Sequence, residues 1–105
     1  MMTVVSTMQL HSGSVEEWDE LILKRFRSAH DRQGWISGQL LVPVDAPETR
    51  VIIGTWRSRQ DWEAWHEDPA FLSVRARLDE LQQVDHRTTW YEVLENVHAN
   101  SNTSH

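Results

Sequence analysis

The sequence predicts an α+β fold in which helices cover one face of an antiparallel β-sheet. Two observations support this prediction. Apolar residues alternate or form short stretches in four segments, whereas they recur every three or four residues in the segments between. The resulting order, β-α-β-β-α-β, is that of the split βαβ or ferredoxin-like arrangement. The 105 residues have the length of a single domain. We expect residues 1–97 to form this domain and residues 98–105 to form a polar, flexible tail.

The N-terminal third of the chain predicts the first strand and the first helix. Residues 3–11 alternate, so one face of the strand carries Val4, Ser6, Met8 and Leu10. Ser14 and Glu17 have the spacing of a capping box, in which the two side chains bond to backbone amides at the helix start. We expect Gly34 to end the helix, whose apolar face comprises Val15, Trp18, Ile22, Phe26 and Ala29.

The rest of the chain predicts a hairpin, a broken helix and a last strand. Residues 35–44 and 50–56 are apolar stretches joined by a short loop with Asp, Pro and Thr, which is typical of a β-hairpin. Ser58 can cap a short helix, and Asp68 followed by proline begins another. Residues 87–95 return to strand character with alternating bulky side chains.

The composition excludes several classes of function. The formal charge of −6 opposes binding to nucleic acid. No apolar stretch approaches the roughly 18 residues that span a membrane, and the first residues do not resemble a signal peptide. We therefore expect a cytoplasmic protein that does not bind membranes. The absence of cysteine removes thiolate metal sites and thiol nucleophiles, and motifs of metallohydrolases, dinucleotide-binding loops and serine hydrolases are missing.

Apolar residues on both sides of the predicted strands indicate a second subunit. Ile36 follows Trp35 and Ile53 follows Ile52, so neighbouring apolar side chains point to opposite faces of the sheet. A domain of this size buries only about two thirds of the surface that its unfolded chain exposes. We therefore expect a homodimer that covers the sheet face without helices.

Three tryptophans lie within residues 55–66, TWRSRQDWEAWH. Trp62 and Trp65 share one face of the predicted short helix, and Trp56 ends the preceding strand. Such rings are usually core residues, because they bury the largest area per side chain. The alternative is a pocket between the helices and the sheet. Ser6 favours this pocket, since its small side chain leaves space that a packed core would fill.

Two stretches of the sequence carry a resemblance to a known family. GWISGQLLVPV and TWRSRQDWEAWHEDPAF resemble the antibiotic biosynthesis monooxygenase family, whose members pair their sheets into a dimeric α+β barrel. The similarity extends over about residues 3–95, and its most specific residues are Trp56, Ser58, Trp62, Trp65 and Pro69-Ala70-Phe71. The resemblance implies one of two activities: oxidation of electron-rich phenols by dioxygen without a cofactor, or degradation of haem.

The haem-degrading members use an Asn on the first strand, a Trp on the short helix and an iron-ligating His on the next helix. Trp65 matches the Trp. The Asn position falls on Ser6, or on Thr7 if the register shifts by one, and the His position falls on Arg75 or Val74. None of these side chains supplies the imidazole that haem iron takes as a ligand.

The resemblance therefore favours a monooxygenase that oxidises an aromatic or quinol-type small molecule with O2 and uses neither cofactor nor metal. We predict a substrate slot formed by Ser6, Met8, Trp62 and Phe71. The candidate catalytic residues are Trp65, Arg75 as an anion-stabilising cation, and His66 as a base.

His11 is a second candidate base. His66 directly follows Trp65, so we expect its side chain to point about 100° away from that ring. Two alternative functions stay open: a haem-binding or haem-degrading monooxygenase, and a non-catalytic module that binds a hydrophobic ligand.

Overall fold

The computed structural model describes residues 1–83 and 87–99, and it confirms the predicted α+β fold. The described chain has four strands: β1 (Met2–Gln9), β2 (Trp35–Leu41), β3 (Thr49–Trp56) and β4 (Arg87–Glu92). It also has three helices: α1 (Val15–Ala29), α2 (Arg59–His66) and α3 (Pro69–Leu81). The strands form one antiparallel sheet in the order β2-β3-β1-β4, which is the ferredoxin-like arrangement.

The predicted C-terminal tail is only partly covered by the described residues. His98 and Ala99 belong to the predicted tail and are exposed, whereas residues 100–105 lie outside the described residues, as does His86. Over residues 1–83 and 87–99, no helix is long and apolar enough to cross a membrane.

The central strand β1 positions the site, because it pairs with β3 on one side and β4 on the other. Its alternation is confirmed. Val4 and Met8 are buried, and Ser6 lies between them on the same face of the sheet. The inner face of β1 is therefore apolar except for one hydroxyl group at its middle.

Helix α1 differs from the prediction at both ends. Ser14 makes no side-chain hydrogen bond to the helix start, and Glu17 instead pairs with an arginine of α3, so the predicted capping box does not form. The helix ends at Ala29 rather than Gly34, where the Arg32 amide donates to the Ala29 carbonyl at 2.9 Å. Gly34 adopts φ +85°, which glycine reaches without strain, and this conformation leads the chain into β2.

The two later helices begin at their predicted caps. Ser58 Oγ accepts from the Asp61 amide at 3.2 Å, and Asp68 Oδ1 accepts from the Ala70 amide at 3.1 Å. Pro69 at the first position of α3 separates this helix from α2. The predicted strands also form, although β2 ends at Leu41 and β4 at Glu92, earlier than the patterns indicated.

The core is divided into two clusters of buried residues. The first lies where α1 and α3 meet the sheet and comprises Met8, Leu10, Trp18, Ile22, Leu78 and Leu81. The second comprises Val4, Ala29, Trp56 and Trp65, with Trp35, Trp62 and Trp90 packed against it. The aromatic rings are therefore concentrated in the second cluster, beside α2.

Candidate active site

A cavity of about 360 Å³ lies between the two core clusters. Residues of both clusters form its walls: Met8, Trp18 and Ile22 from the first, and Val4, Trp56 and Trp65 from the second. This volume lies near the lower limit of ligand pockets in proteins, which hold roughly 300 to 1,000 Å³. The fold thus contains a pocket of the kind that the small side chain of Ser6 suggested.

The residues predicted for the site all line this cavity: Ser6, Met8, Trp62, Trp65, His66, Phe71 and Arg75. They come from β1, α2 and α3, which are distant in sequence and meet only in the folded chain. Their roles in binding and catalysis stay predictions. His11, the second candidate base, is exposed and does not line the cavity.

The tryptophans serve as core and as cavity wall at once. Trp65 is 6% exposed, and its ring centre lies 5.3 Å from that of Trp56 and 6.4 Å from that of Trp35. Trp62 is only partly buried and packs at 88° against Trp90 of β4, with the ring centres 4.8 Å apart. The core and pocket interpretations therefore both apply to the same rings.

The imidazole of His66, the predicted candidate base, lies on the cavity wall. Its ring centre is 3.7 Å from that of Trp62, 5.1 Å from that of Trp65 and 5.2 Å from that of Phe71. The offset of about 100° from Trp65 does not remove the side chain from the cavity wall. His66 also follows Trp62 by four positions, and residues at that spacing share a helix face.

The hydrogen bond of His66 determines its tautomer. Nδ1 lies 3.0 Å from the Trp62 carbonyl oxygen, which can only accept, so Nδ1 carries the proton and Nε2 carries a lone pair. Burial lowers the pKa of His66 to about 4; the Trp62 carbonyl opposes this shift, and the charges of Arg25 and Arg75 add to it. The imidazole is therefore neutral at pH 7 and can accept a proton at Nε2.

Arg25 is a cavity residue that the sequence analysis missed. Its side chain is 5% exposed, Nη1 lies 3.4 Å from Asp68 Oδ2, and Nη2 donates to the Trp65 carbonyl. Its Cζ lies 3.7 Å from the ring centre of Trp65 and 4.2 Å from that of Phe71, so the guanidinium makes cation–π contacts with both rings. Burial lowers the pKa of Arg25 to about 10, with Asp68 opposing the shift, and the group stays charged at pH 7.

A periodicity in α1 could have identified this arginine. The buried residues of the helix are Trp18, Ile22, Arg25 and Ala29, at spacings of four, three and four. Arg25 therefore occupies a core position on the helix. An arginine there needs partners inside the protein, because a buried charge without them is costly.

Arg25 Nε has no hydrogen-bond acceptor among residues 1–83 and 87–99, although it is enclosed. An unsatisfied buried donor typically costs about 1 to 3 kcal/mol. Its partners at Nη1 and Nη2 do not remove this cost. The guanidinium is thus incompletely satisfied at the edge of the cavity.

The other polar groups of the cavity are placed around an apolar centre. Ser6 Oγ and Thr88 Oγ1 form a hydrogen bond of 3.1 Å across β1 and β4. Gln82 Oε1 accepts from Trp18 Nε1 at 3.0 Å. Arg75 lines the cavity from an exposed position on α3. The site therefore offers an aromatic slot, a neutral base and two guanidinium groups.

The chain's residues fit haem only in part. Trp65 is present, but Ser6 bonds to Thr88, and Val74 packs against the first core cluster. The candidate imidazole is instead that of His66, with Nδ1 held by a carbonyl as in many metal-ligating histidines. For other metals, the described part of the chain contains no group of three or more His, Cys, Asp or Glu side chains that could hold an ion.

Solved structures share this architecture at low sequence identity. An antibiotic biosynthesis monooxygenase has a TM-score of 0.82 and 14% identity, covering 90% of this chain and 100% of its own. SnoaB, a cofactor-independent oxygenase from Streptomyces nogalater, has a TM-score of 0.79 and 17% sequence identity. The match covers 91% of this chain and 95% of SnoaB. A mutant of MhuD with two manganese protoporphyrin IX molecules bound per active site has a TM-score of 0.75 and 19% sequence identity. The match covers 94% of this chain and 100% of the MhuD chain. These similarities establish the fold.

The family is established by the sequence itself. No curated protein matches the chain. The family model of the antibiotic biosynthesis monooxygenases matches residues 1–77, which include β1, the hairpin, α2 and most of α3. The chain therefore belongs to the antibiotic biosynthesis monooxygenase family.

Proposed function

We propose that the protein is a cofactor-independent monooxygenase that oxidises a phenolic or quinol-type aromatic molecule with O2 in this cavity. One observation carries the proposal: a neutral imidazole that has its lone pair at Nε2 lies on the wall of an aromatic cavity. The rings of Trp62, Trp65 and Phe71 provide faces on which a flat substrate can stack. The relation to SnoaB, a cofactor-independent oxygenase, supports the same activity.

The chemistry requires a base rather than a redox centre. Removal of a proton from the substrate by His66 Nε2 leaves an electron-rich anion, and this anion can donate electrons to O2 and form a carbon–oxygen bond. The resulting hydroperoxide loses water to leave a carbonyl group. One oxygen atom of O2 enters the product and the other leaves as water. The four electrons come from the phenolic substrate, which loses its O–H hydrogen and one ring C–H hydrogen as the quinone forms.

The low pKa of His66 sets a condition on this reaction. A simple phenol has a pKa of about 10, as tyrosine does, so transfer of its proton to an imidazole with a pKa of about 4 is unfavourable. A positive charge beside the substrate oxygen would lower the pKa of the phenol. The anion so formed would also raise the pKa of His66, because it stabilises the imidazolium.

Oxygen uptake tests the proposal directly. Purified protein should accelerate O2 consumption by a hydroquinone or a polycyclic phenol above the rate without protein. His66→Gln should lower this rate about 100-fold or more, since glutamine can hydrogen-bond but is not a base. His11→Gln is the matched control, as His11 is exposed and away from the cavity. Binding without O2 consumption would instead identify a non-catalytic binding module.

Haem binding is the second candidate, because His66 offers a neutral imidazole to the cavity. Bound haem would supply an iron centre for O2 chemistry, with His66 and Trp65 as the residues that hold it. A haem titration followed by absorbance, on protein whose oligomeric state has been measured by light scattering, tests haem binding. A saturable Soret band that is absent in His66→Gln would support haem binding through His66. A flat titration leaves the cofactor-independent reaction.

A homodimer belongs to the same proposal. Outward side chains of the sheet include Val5 opposite Ile53, and Leu41 opposite Val51. Leu41 is 40% exposed, and Tyr91 of β4 is 52% exposed. We infer that a second copy covers this apolar face, as in the barrels that the family forms. Light scattering at micromolar concentration should give about twice the mass of 12.3 kDa, and a monomeric mass would contradict the dimer.

A further inference from the structure

The positive charge of Arg25 lies at the cavity without a complete set of partners. Nη1 is 3.4 Å from Asp68, which is a long distance for an ion pair, and Nε has no acceptor in the described chain. The carboxylate of Asp68 also accepts a hydrogen bond from the Ala70 amide at the start of α3, so it does not interact with Arg25 alone. The negative charge near Arg25 therefore neutralises it only in part.

The position of Arg25 is fixed before any ligand arrives. Trp65 and Phe71 contact the guanidinium, and the Trp65 carbonyl holds Nη2. A charge held in this way needs little rearrangement to act on a ligand. Nε is shielded from solvent, so a ligand oxygen can contact it only if the neighbouring rings shift. The positive charge of Arg25 needs no such shift, because it acts on a ligand across the cavity wall.

The balance of charge around the cavity favours an anion. The charged side chains among its described lining residues are Arg25, Arg75 and Asp79, and His66 is neutral. Arg75 and Asp79 are exposed, so solvent and salt screen their charges, while Arg25 is buried and is screened much less. Among the charged side chains that line the cavity, Arg25 is therefore the one that solvent and salt screen least.

We propose that Arg25 is the anion-recognition residue of the cavity, and that the ligand is an aromatic molecule bearing an ionised oxygen. This assignment rests on the proposed function, since the cavity must bind the substrate. It also meets the condition set by His66, because a cation beside the substrate oxygen stabilises the anion that proton removal forms. Arg25 thereby replaces Arg75 as the principal anion-stabilising group.

Two probes of the same shape test the charge preference without any turnover: 2-naphthoate and its neutral amide, 2-naphthamide. Their dissociation constants would be measured by isothermal titration calorimetry at pH 7 for the wild type, Arg25→Met, Arg25→Lys and Arg75→Met. Arg50→Met is the matched control, since Arg50 is also buried but does not line the cavity. Methionine preserves most of the arginine volume and packs well against aromatic rings.

We expect the wild type to bind naphthoate about tenfold or more tightly than naphthamide, because the buried charge of Arg25 attracts the carboxylate across the cavity wall. Arg25→Met should reduce this ratio to about one without weakening naphthamide binding, whereas Arg50→Met, Arg25→Lys and Arg75→Met should keep most of it. If Arg25→Met does not fold, Arg25→Gln removes the same charge while keeping hydrogen-bond donors for Asp68 and the Trp65 carbonyl, and it should lose the ratio in the same way.

The assignment would be overturned by equal affinity of the wild type for the two probes, by an unchanged ratio in Arg25→Met, or by loss of the ratio in Arg75→Met alone. Failure of both probes to bind at millimolar concentration would also overturn it. A preserved charge preference in a protein that consumes no O2 would leave the role of Arg25 standing and refute the oxygenase reaction.

Discussion

Arg25 and Arg50 are the two buried arginines of the described chain, at 6% and 4% exposure. Every guanidinium nitrogen of Arg50 on β3 has a hydrogen-bond acceptor. Its Nε and Nη2 donate to the two carboxylate oxygens of Asp19 at 2.9 and 3.0 Å, and Nη1 donates to the carbonyls of Pro47 and Thr49. Arg25 on α1 has a long contact to a carboxylate and a bond to one carbonyl, and its Nε has no acceptor within residues 1–83 and 87–99.

The difference separates a structural arginine from a candidate functional one. A bidentate pair raises the pKa of Arg50, since Asp19 stabilises the charged form, whereas burial lowers the pKa of Arg25. Arg50 also lies away from the cavity, while Arg25 forms part of its wall. Equal burial therefore does not mean an equal role, and the number of satisfied donors distinguishes the two residues.

Arg50→Met should give the largest effect. It removes the bidentate pair that ties β3 to α1 and leaves Asp19 without its partner. The free energy of unfolding should fall by about 2 to 4 kcal/mol, below the upper range for a broken buried pair because the Asp19 side chain is partly hydrated. Urea denaturation at pH 7 measures this loss, and a loss below about 1 kcal/mol would contradict the structural role.

The pH dependence of stability should give an intermediate effect, through His66 beside Arg25. Because the pKa of His66 is lowered to about 4 in the folded protein, the unfolded chain takes up a proton near pH 6.5, whereas the folded protein does so only near pH 4. The contribution of His66 to stability is therefore present above pH 6.5 and is lost as the pH falls toward 4.

This contribution should amount to about 1 to 3 kcal/mol, reduced from the full shift because the ring is partly exposed. The free energy of unfolding would be measured by denaturation at pH 7 and at pH 4.5 for the wild type and for His66→Gln. Carboxylates titrate in both proteins, so the difference between their stability losses gives the contribution of His66. By NMR, Arg25→Met should raise the pKa of His66 and Arg50→Met should leave it unchanged. Equal stability losses in the wild type and His66→Gln would refute the prediction.

Arg25→Met should give the smallest change in stability, below about 1.5 kcal/mol. The substitution loses the bonds to Asp68 and the Trp65 carbonyl and the cation–π contacts with two rings. It also removes the burial cost of a charge whose Nε has no acceptor among the described residues. The same urea assay compares it with Arg50→Met. If Arg25→Met were as destabilising as Arg50→Met, the two arginines would share a structural role.

Sequence patterns identified most of the fold and the lining of the site, but not its electrostatics. The alternation around Ser6 and the caps at Ser58 and Asp68 are local features, so they could be recognised without tertiary contacts. The end of α1 was misplaced, because the turn after Ala29 depends on backbone bonds that leave no strong residue pattern. Arg25 was missed for a related reason, since arginine is rarely buried and its core position on α1 went unrecognised.

By itself, the sequence determined the order of the elements, their inner faces and the family, because these depend on spacing along a single strand or helix. Only the tertiary structure decided which groups meet at the cavity. It brings His66 from the end of α2 against Phe71 of α3, and it places Arg25 of α1 beneath both helices. Charge balance and unpaired donors are properties of that assembly, so the spacing in α1 that indicates a core position for Arg25 could not specify them.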